Sequence, residues 1–207
     1  KTYLAEMKLG ESTDTQDQSG TVLESRPTDG ITEEQVLQVM GEFTGDQTQL
    51  PPMYSAKKKN GIPLYKLARS GITVDRESVP IRLFSLDFIS KIGDRVTFRA
   101  HCSAGTYIRT LCHDIGASLG CGAHMTRLVR EQVGPFNQDS ALTLEHLDAA
   151  CEDGTLPDKL LEPDQALAFL PEIRVKPEGV RPVTHGRARP KASLDVLAVV
   201  LKLGSVH

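Results

Sequence analysis

The stretch at residues 103–128 reads SAGTYIRTLCHDIGASLGCGAHMTRL. Within it Ile108, Leu111, Cys112, Ile115 and Leu119 recur at i, i+3, i+4, i+7 and i+11, the spacing of one apolar helix face. Gly120 stands where a left-handed residue ends such a helix. Upstream, Val96, Phe98, Ala100 and Cys102 alternate with other residues as in a half-buried strand. Ile81, Leu83 and Leu86 fall in an earlier run, with Gly93-Asp94 between the two. The spacing predicts a hairpin over 79–102 that feeds a helix through the loop from Cys102 to Arg109. Arg109 is out of place in the first turn of that helix, because the macrodipole disfavours a cation there by about 0.3 to 1 kcal/mol. On the residues alone it is either solvated or held by an anionic partner.

Working outward, Tyr3, Ala5, Met7 and Leu9 alternate from the first residues onward, so a strand is expected there and further sequence is expected to precede Lys1. Residues 10–20, GESTDTQDQSG, read as a polar turn region. Thr32 and Gln35 form a capping-box pattern ahead of Val36, Leu37, Met40 and Phe43 at helical spacing. Pro51-Pro52 end regular structure, and residues 53–71, MYSAKKKNGIPLYKLARSG, read as a long, exposed, basic excursion with an Asn-Gly turn. Thr143 to Ala150 reads as a short helix, and Pro157, Pro163 and Pro171 punctuate a connector to a tail of short apolar runs.

The 207 residues suffice for one sizeable core with a small appendage. The net charge of −3 argues against nucleic-acid binding by bulk electrostatics alone, but the charge is unevenly spread. Basic residues number six against ten acidic over 1–60, ten against seven over 61–140, and eight against ten thereafter. No apolar run reaches the roughly 18 residues of a membrane span, and the opening lacks the apolar core of a secretory signal, so a cytoplasmic address is expected. The four cysteines form no CxxC pair and are read as reduced thiols. Cys112, His113, Cys121 and His124 lie close together, yet their spacing fits no standard zinc site, and no metal is expected.

Residues 103–128 resemble the signature block of the TruB branch of pseudouridine synthases. Two further blocks agree in order and spacing. KTYLAEMKLGESTDTQDQSG is similar to the family's strand with a base-stacking tyrosine and a TDT-x-D turn, and LPPMYSAKKKNGIPLYKLARSG to its T-loop-binding insertion. Together the blocks involve residues 1 to about 136. The resemblance implies an α+β fold, a mixed or antiparallel sheet with flanking helices, the pseudouridine synthase fold. A catalytic domain is expected over 1–165, with the insertion at about 10–75, and the tail, 166–207, is faintly similar to a small PUA-like RNA-binding module. The implied activity is isomerisation of the tRNA T-loop uridine at position 55 to pseudouridine, without metal or organic cofactor. The partner is the tRNA T stem-loop, and a monomer with no membrane association is expected.

By the same resemblance Arg109 falls on the arginine that pairs with the catalytic aspartate, and Tyr3 on the tyrosine that stacks on the flipped-out uracil. Leu128 falls on an apolar pocket residue and Tyr107 on a pocket tyrosine. Without the resemblance Tyr3, Tyr107 and Leu128 are equally explained as core packing. Lys57, Lys58 and Lys59 resemble phosphate-facing residues, with Tyr54, Arg69 and Arg130 as further RNA contacts; a solvated charge run is the alternative. Two departures stand out. The family's Gly-x-Leu-Asp-Pro-x-Ala-Thr-Gly motif, which carries the catalytic aspartate, does not occur in this sequence, and Val129 replaces the first of two arginines. As written, the sequence supplies a partner for the aspartate and not the aspartate itself. Two other readings stay open: a non-catalytic tRNA-binding or RNA-chaperone protein, and a dyskerin-like, guide-RNA-dependent synthase.

Overall fold

Alternation along Thr2–Leu9 (β1) buries Tyr3, Ala5, Met7 and Leu9 on one face of a sheet. These positions come from a computed structural model that describes residues 1–170, 172–174, 185 and 200–202. The chain divides into two units, Lys1–Ser140 and Ala141–His207.

In the first unit, β1 is followed by β2 (Glu11–Thr13), β3 (Val22–Ser25), helix α1 (Glu33–Glu42) and β4 (Gly45–Gln49). A small hairpin, β5 (Lys58–Lys59) and β6 (Ile62–Pro63), leads into α2 (Leu64–Arg69). The long hairpin β7 (Val79–Ile92) and β8 (Arg95–Cys102), helix α3 (Ile108–Ser118), β9 (Ala123–Val133) and β10 (Phe136–Asn137) complete it. Six strands form one sheet in the order β10-β9-β1-β8-β7-β4, every pairing antiparallel. The expected hairpin over 79–102, the helix from Ile108 and the Thr32–Gln35 capping box are all present.

One face of the sheet carries the core. Leu83, Val96, Phe98 and Ala100 join the β1 residues, and α1 and α3 cover them with Val36, Met40, Ile108, Leu111, Cys112 and Ile115. Gly116 lets α3 lie directly on β9. A Cβ there would sit 2.2 Å from the Ala123 nitrogen, so only glycine allows this approach. The other face is laced by cross-strand ion pairs, Arg95–Glu6 at 2.6 Å, Arg99–Glu131 at 2.7 Å and Arg82–Asp46 at 3.7 Å, the pattern of a solvated surface.

Residues 10–75 contribute to the core and to the sheet edge as well as to exposed loops. Helix α1 buries Val36 and Met40 in the core, and β4 returns to pair with β7 at the sheet edge. Residues 56–62 are exposed, whereas Pro51, Pro52, Ser55 and Leu64 around them are buried. In the second unit α4 (Leu144–Glu152) is N-capped by Thr143, as its sequence suggests, and α5 (Pro163–Ala166) follows. Two short strands, β11 (Glu172–Arg174) and β12 (Val200–Lys202), pair in parallel. The expected PUA-like module at 166–207 lies mostly outside the described residues. Among the described residues no helix is long and apolar enough to cross a membrane.

Candidate active site

Arg109 has an anionic partner within this chain. Its Nη1 donates to Asp17 Oδ2 at 2.9 Å and its Nη2 to the Tyr54 carbonyl at 2.8 Å, with the two charged side chains 24% and 18% exposed. One position along the helix, Thr110 Oγ1 donates to Gln16 Oε1 at 2.7 Å. The TDT-x-D turn is thereby fastened to the first turn of α3 at two adjacent points.

That turn is built to present Asp17. Thr13 Oγ1 donates to the Asp17 carbonyl at 2.8 Å, and Asp14 accepts the Thr21 amide at 2.8 Å. Gly20 leaves room for the fold-back, since a Cβ there would lie 2.3 Å from Asp14 Oδ1. The Met125 amide of β9 donates to the Gln16 carbonyl at 3.0 Å and the Gln18 amide to the Met125 carbonyl at 2.9 Å, locking the loop to the strand edge. Asp17 Oδ1 accepts from Thr15 Oγ1 at 2.9 Å, the Ser19 amide at 3.0 Å and Ser19 Oγ at 2.5 Å. Burial pushes the Asp17 carboxyl up, but the Ser19 and Thr15 hydrogen bonds and the Arg109 charge outweigh it and hold the group below its ordinary value.

The other residues implied at the site gather on the core face of the sheet. In the register of β1 with β9, Tyr3 pairs with Arg130 and Ala5 with Leu128, so Tyr3, Leu128 and Arg130 share one face. Tyr3 is 7% exposed, and the Arg130 guanidinium lies 5.6 Å from its ring centroid. Leu128 is 41% exposed, and Arg130 on the same face is exposed too. Val129 pairs with Leu4 and points to the opposite face. Tyr107 is the N-cap residue of α3 without a side-chain cap; the Gln49 carboxamide bonds both its N–H (2.8 Å) and its carbonyl (3.1 Å).

The basic hairpin stands apart from this face. Asn60 and Gly61, with φ of 51° and 81°, make the tight turn between β5 and β6. Lys57, Lys58, Lys59 and Arg76 line a cleft of about 280 Å³ together with Asn60, Asp75 and Glu77. Lys59 Nζ donates to the Asp75 carbonyl, and no lysine of the triplet is ion-paired to a described carboxylate. Arg69 lies over the Tyr65 ring at 5.5 Å on α2. Tyr54 meets Arg109 through its carbonyl rather than its ring. The Ser55 hydroxyl beside it is buried without a hydrogen-bond partner.

Sequence reading had not singled out Asp17, Gln16 or Gln49. Asp17 lay inside a quoted motif, but nothing local pairs it with an arginine 92 positions away. Among the described residues no group of three His, Cys, Asp or Glu side chains is placed to hold a metal. His124 Nδ1 is within 3.1 Å of the Glu11 carbonyl, and Cys112 and Cys121 are buried.

Residues 1–108 match the model of the TruB family pseudouridylate synthase N-terminal domain, and residues 109–168 that of the tRNA pseudouridylate synthase B C-terminal domain. The chain is 46% identical to tRNA pseudouridine synthase B of Geobacter sulfurreducens over 186 residues, covering 90% of this chain and 61% of that protein. It is 45% identical to the protein of that name from Shewanella sp. (strain W3-18-1), covering 100% of this chain and 68% of the relative. The chain thus spans 61% to 68% of these relatives' length. Among solved structures, a Cbf5-Nop10-Gar1 complex matches with a TM-score of 0.66 at 30% identity, over 89% of this chain and 48% of that one. An H/ACA RNP bound to a substrate RNA containing 2′-deoxyuridine matches with a TM-score of 0.60 at 27% identity, over 89% and 47%.

Proposed function

The chain belongs to the TruB family of pseudouridylate synthases, and on that premise we propose that it carries the uridine-binding face and T-loop grip of a tRNA pseudouridine synthase acting on uridine 55. The observation that carries this reading is the Arg109–Asp17 pair, fastened to the strand edge at Met125 beside the face that holds Tyr3, Leu128 and Arg130. In the reaction the N1–C1′ bond breaks, a C5–C1′ bond forms, the C5 proton leaves and N1 gains one. Nothing is oxidised or reduced, so no redox cofactor is required.

The carboxylate that works on the ribose is the one in the family's Leu-Asp-Pro motif. Asp17 is unsuited to that task, because one oxygen already accepts three hydrogen bonds and the other faces Arg109. It acts instead as the counterion that orients Arg109. Among the described residues two partners engage the guanidinium, and its remaining N–H groups are suited to hold a second carboxylate by charge-assisted bonds. A flipped uracil gains about 1 to 3 kcal/mol by stacking on an aromatic ring. Tyr3 is almost fully buried with the Arg130 guanidinium over its ring, so stacking a base there requires Arg130 to leave the ring.

The test is release of tritium from T stem-loop RNA labelled at uridine C5, measured without any guide RNA on a protein in which this chain is joined to a segment bearing the family's Leu-Asp-Pro motif, the form meant by the intact protein below. Stoichiometric release is expected. Strict dependence on a guide RNA replaces this reading with the dyskerin-like one, and binding without release leaves an RNA-binding protein. Reversing Lys57, Lys58 and Lys59 to glutamate is expected to weaken RNA binding and to flatten the plot of log affinity against log salt by about 2. An unchanged slope assigns the triplet to solvent.

A further inference from the structure

Gln49 is 3% exposed at the end of β4, an edge strand whose other side chains are mostly polar and partly solvated. Its carboxamide oxygen accepts the Tyr107 N–H at 2.8 Å and its nitrogen donates to the Tyr107 carbonyl at 3.1 Å, across 58 positions of sequence. The pair of bonds grips one residue from both sides, as a neighbouring strand would. With φ and ψ at −98° and 107°, Tyr107 is the last non-helical residue before α3. Fixing its two torsions fixes the direction in which the helix starts, and Arg109 sits in that first turn.

The same segment reaches Arg109 a second time. Five residues beyond Gln49, the Tyr54 carbonyl accepts Arg109 Nη2, and between them the Pro51 carbonyl is held by Arg76 Nη1 at 2.8 Å. The segment then runs on through the Ser55 carbonyl, which accepts the Tyr65 amide at 3.0 Å, into the lysine hairpin. We propose that Gln49 is a positioning residue for the isomerisation, setting the Tyr107–Arg109 turn in the cleft and tying it to the RNA-gripping hairpin. The inference rests on the function proposed above.

The chemistry of the amide separates this role from packing. An apolar side chain would fill the same space, leave the Tyr107 N–H without a partner and leave its carbonyl with the Leu111 amide alone, at 3.1 Å. A glutamate keeps the acceptor but, when ionised, turns an oxygen toward the Tyr107 carbonyl. Protonation restores a donor, and burial raises the pH at which that happens.

Wild type, Gln49→Met and Gln49→Glu are compared in the intact protein by single-turnover tritium release, RNA affinity and thermal midpoint. Gln49→Met is expected to slow release about thirtyfold or more, as an angstrom-scale misplacement does, and to leave the Kd within about threefold, the signature of a lost alignment rather than lost binding. Gln49→Glu is expected to be slow at about pH 8 and to recover relative to wild type toward about pH 6, as a buried carboxyl protonates. Wild-type release rates in Gln49→Met overturn the proposal, as do equal losses of rate and affinity, absence of the pH recovery, or failure of both variants to fold. No release by the wild type overturns the proposed function itself, whereas an active wild type with an equally active Gln49→Met overturns this inference alone.

Discussion

On the proposed function, Arg109→Ala is expected to lower the single-turnover rate of tritium release by about a thousandfold, the scale of losing one preorganised charge-stabilising group, and to leave RNA affinity within about tenfold because the lost interaction is not a binding contact. The guanidinium links the Asp17 turn, the Tyr54 carbonyl and the start of α3, which belong to separate parts of the chain. Removing it takes one tie from each of them at the cleft and leaves the lysine hairpin and the Tyr3 face with their own contacts. The fold survives the change, since Asp17 keeps its Thr15 and Ser19 bonds and the loop stays pinned at Met125. Arg109→Lys recovers only a small part of the rate, because one ammonium lacks the planar fork that reaches a carboxylate and a carbonyl at once. Near-normal turnover in Arg109→Ala would remove the arginine from the reaction and leave it a structural clamp.

The parts of the fold that were legible beforehand follow one period without interruption. β1, β8 and α3 each repeat their apolar residues at two or at three-to-four, and the sequence of Thr32 announces its cap. β9 was not legible, although it is β1's neighbour. Its register against β1 slips between Glu6 and Met7, so the two-residue period breaks near Thr126, and much of its outer half is exposed. β4, with the sequence GDQTQ, has no apolar alternation, because an edge strand with a solvated face needs none. At the site, a cation at a helix N-terminus marked Arg109 as odd, but on the residues alone solvent explained it as well as an anion did, and its pairing with a carboxylate was only what the family resemblance implied. Its partner was not legible: Asp17 obeys every local rule of a polar turn, and only the fold brings it 92 positions across to the arginine. Gln49 shows the same limit, since a buried amide on a polar edge strand reads as one more polar residue until Tyr107 is placed beside it.

Asp17→Asn separates the counterion from the turn. Asparagine keeps an oxygen for Thr15 and Ser19 but presents Arg109 with no charge, leaving a mostly buried guanidinium uncompensated. Stripping one partner from a fully buried pair costs about 3 to 5 kcal/mol, and with both side chains about a fifth exposed a loss of about 2 kcal/mol is expected at neutral pH. Turnover falls with it, by about a hundredfold, if Arg109 must be oriented to act. The pH dependence fixes the cause. Burial raises the Asp17 carboxyl, but its hydrogen bonds and Arg109 hold it below the ordinary value. Its contribution is therefore complete above the unfolded pKa of about 4 and is lost as pH falls through the lower folded value. The stability gap between wild type and Asp17→Asn should hold constant from about pH 7 to pH 5 and close below about pH 4, read from urea midpoints. A gap that is absent at neutral pH, or that widens on acidification, would show that Arg109 draws its orientation from the Tyr54 carbonyl and the helix start rather than from the Asp17 charge.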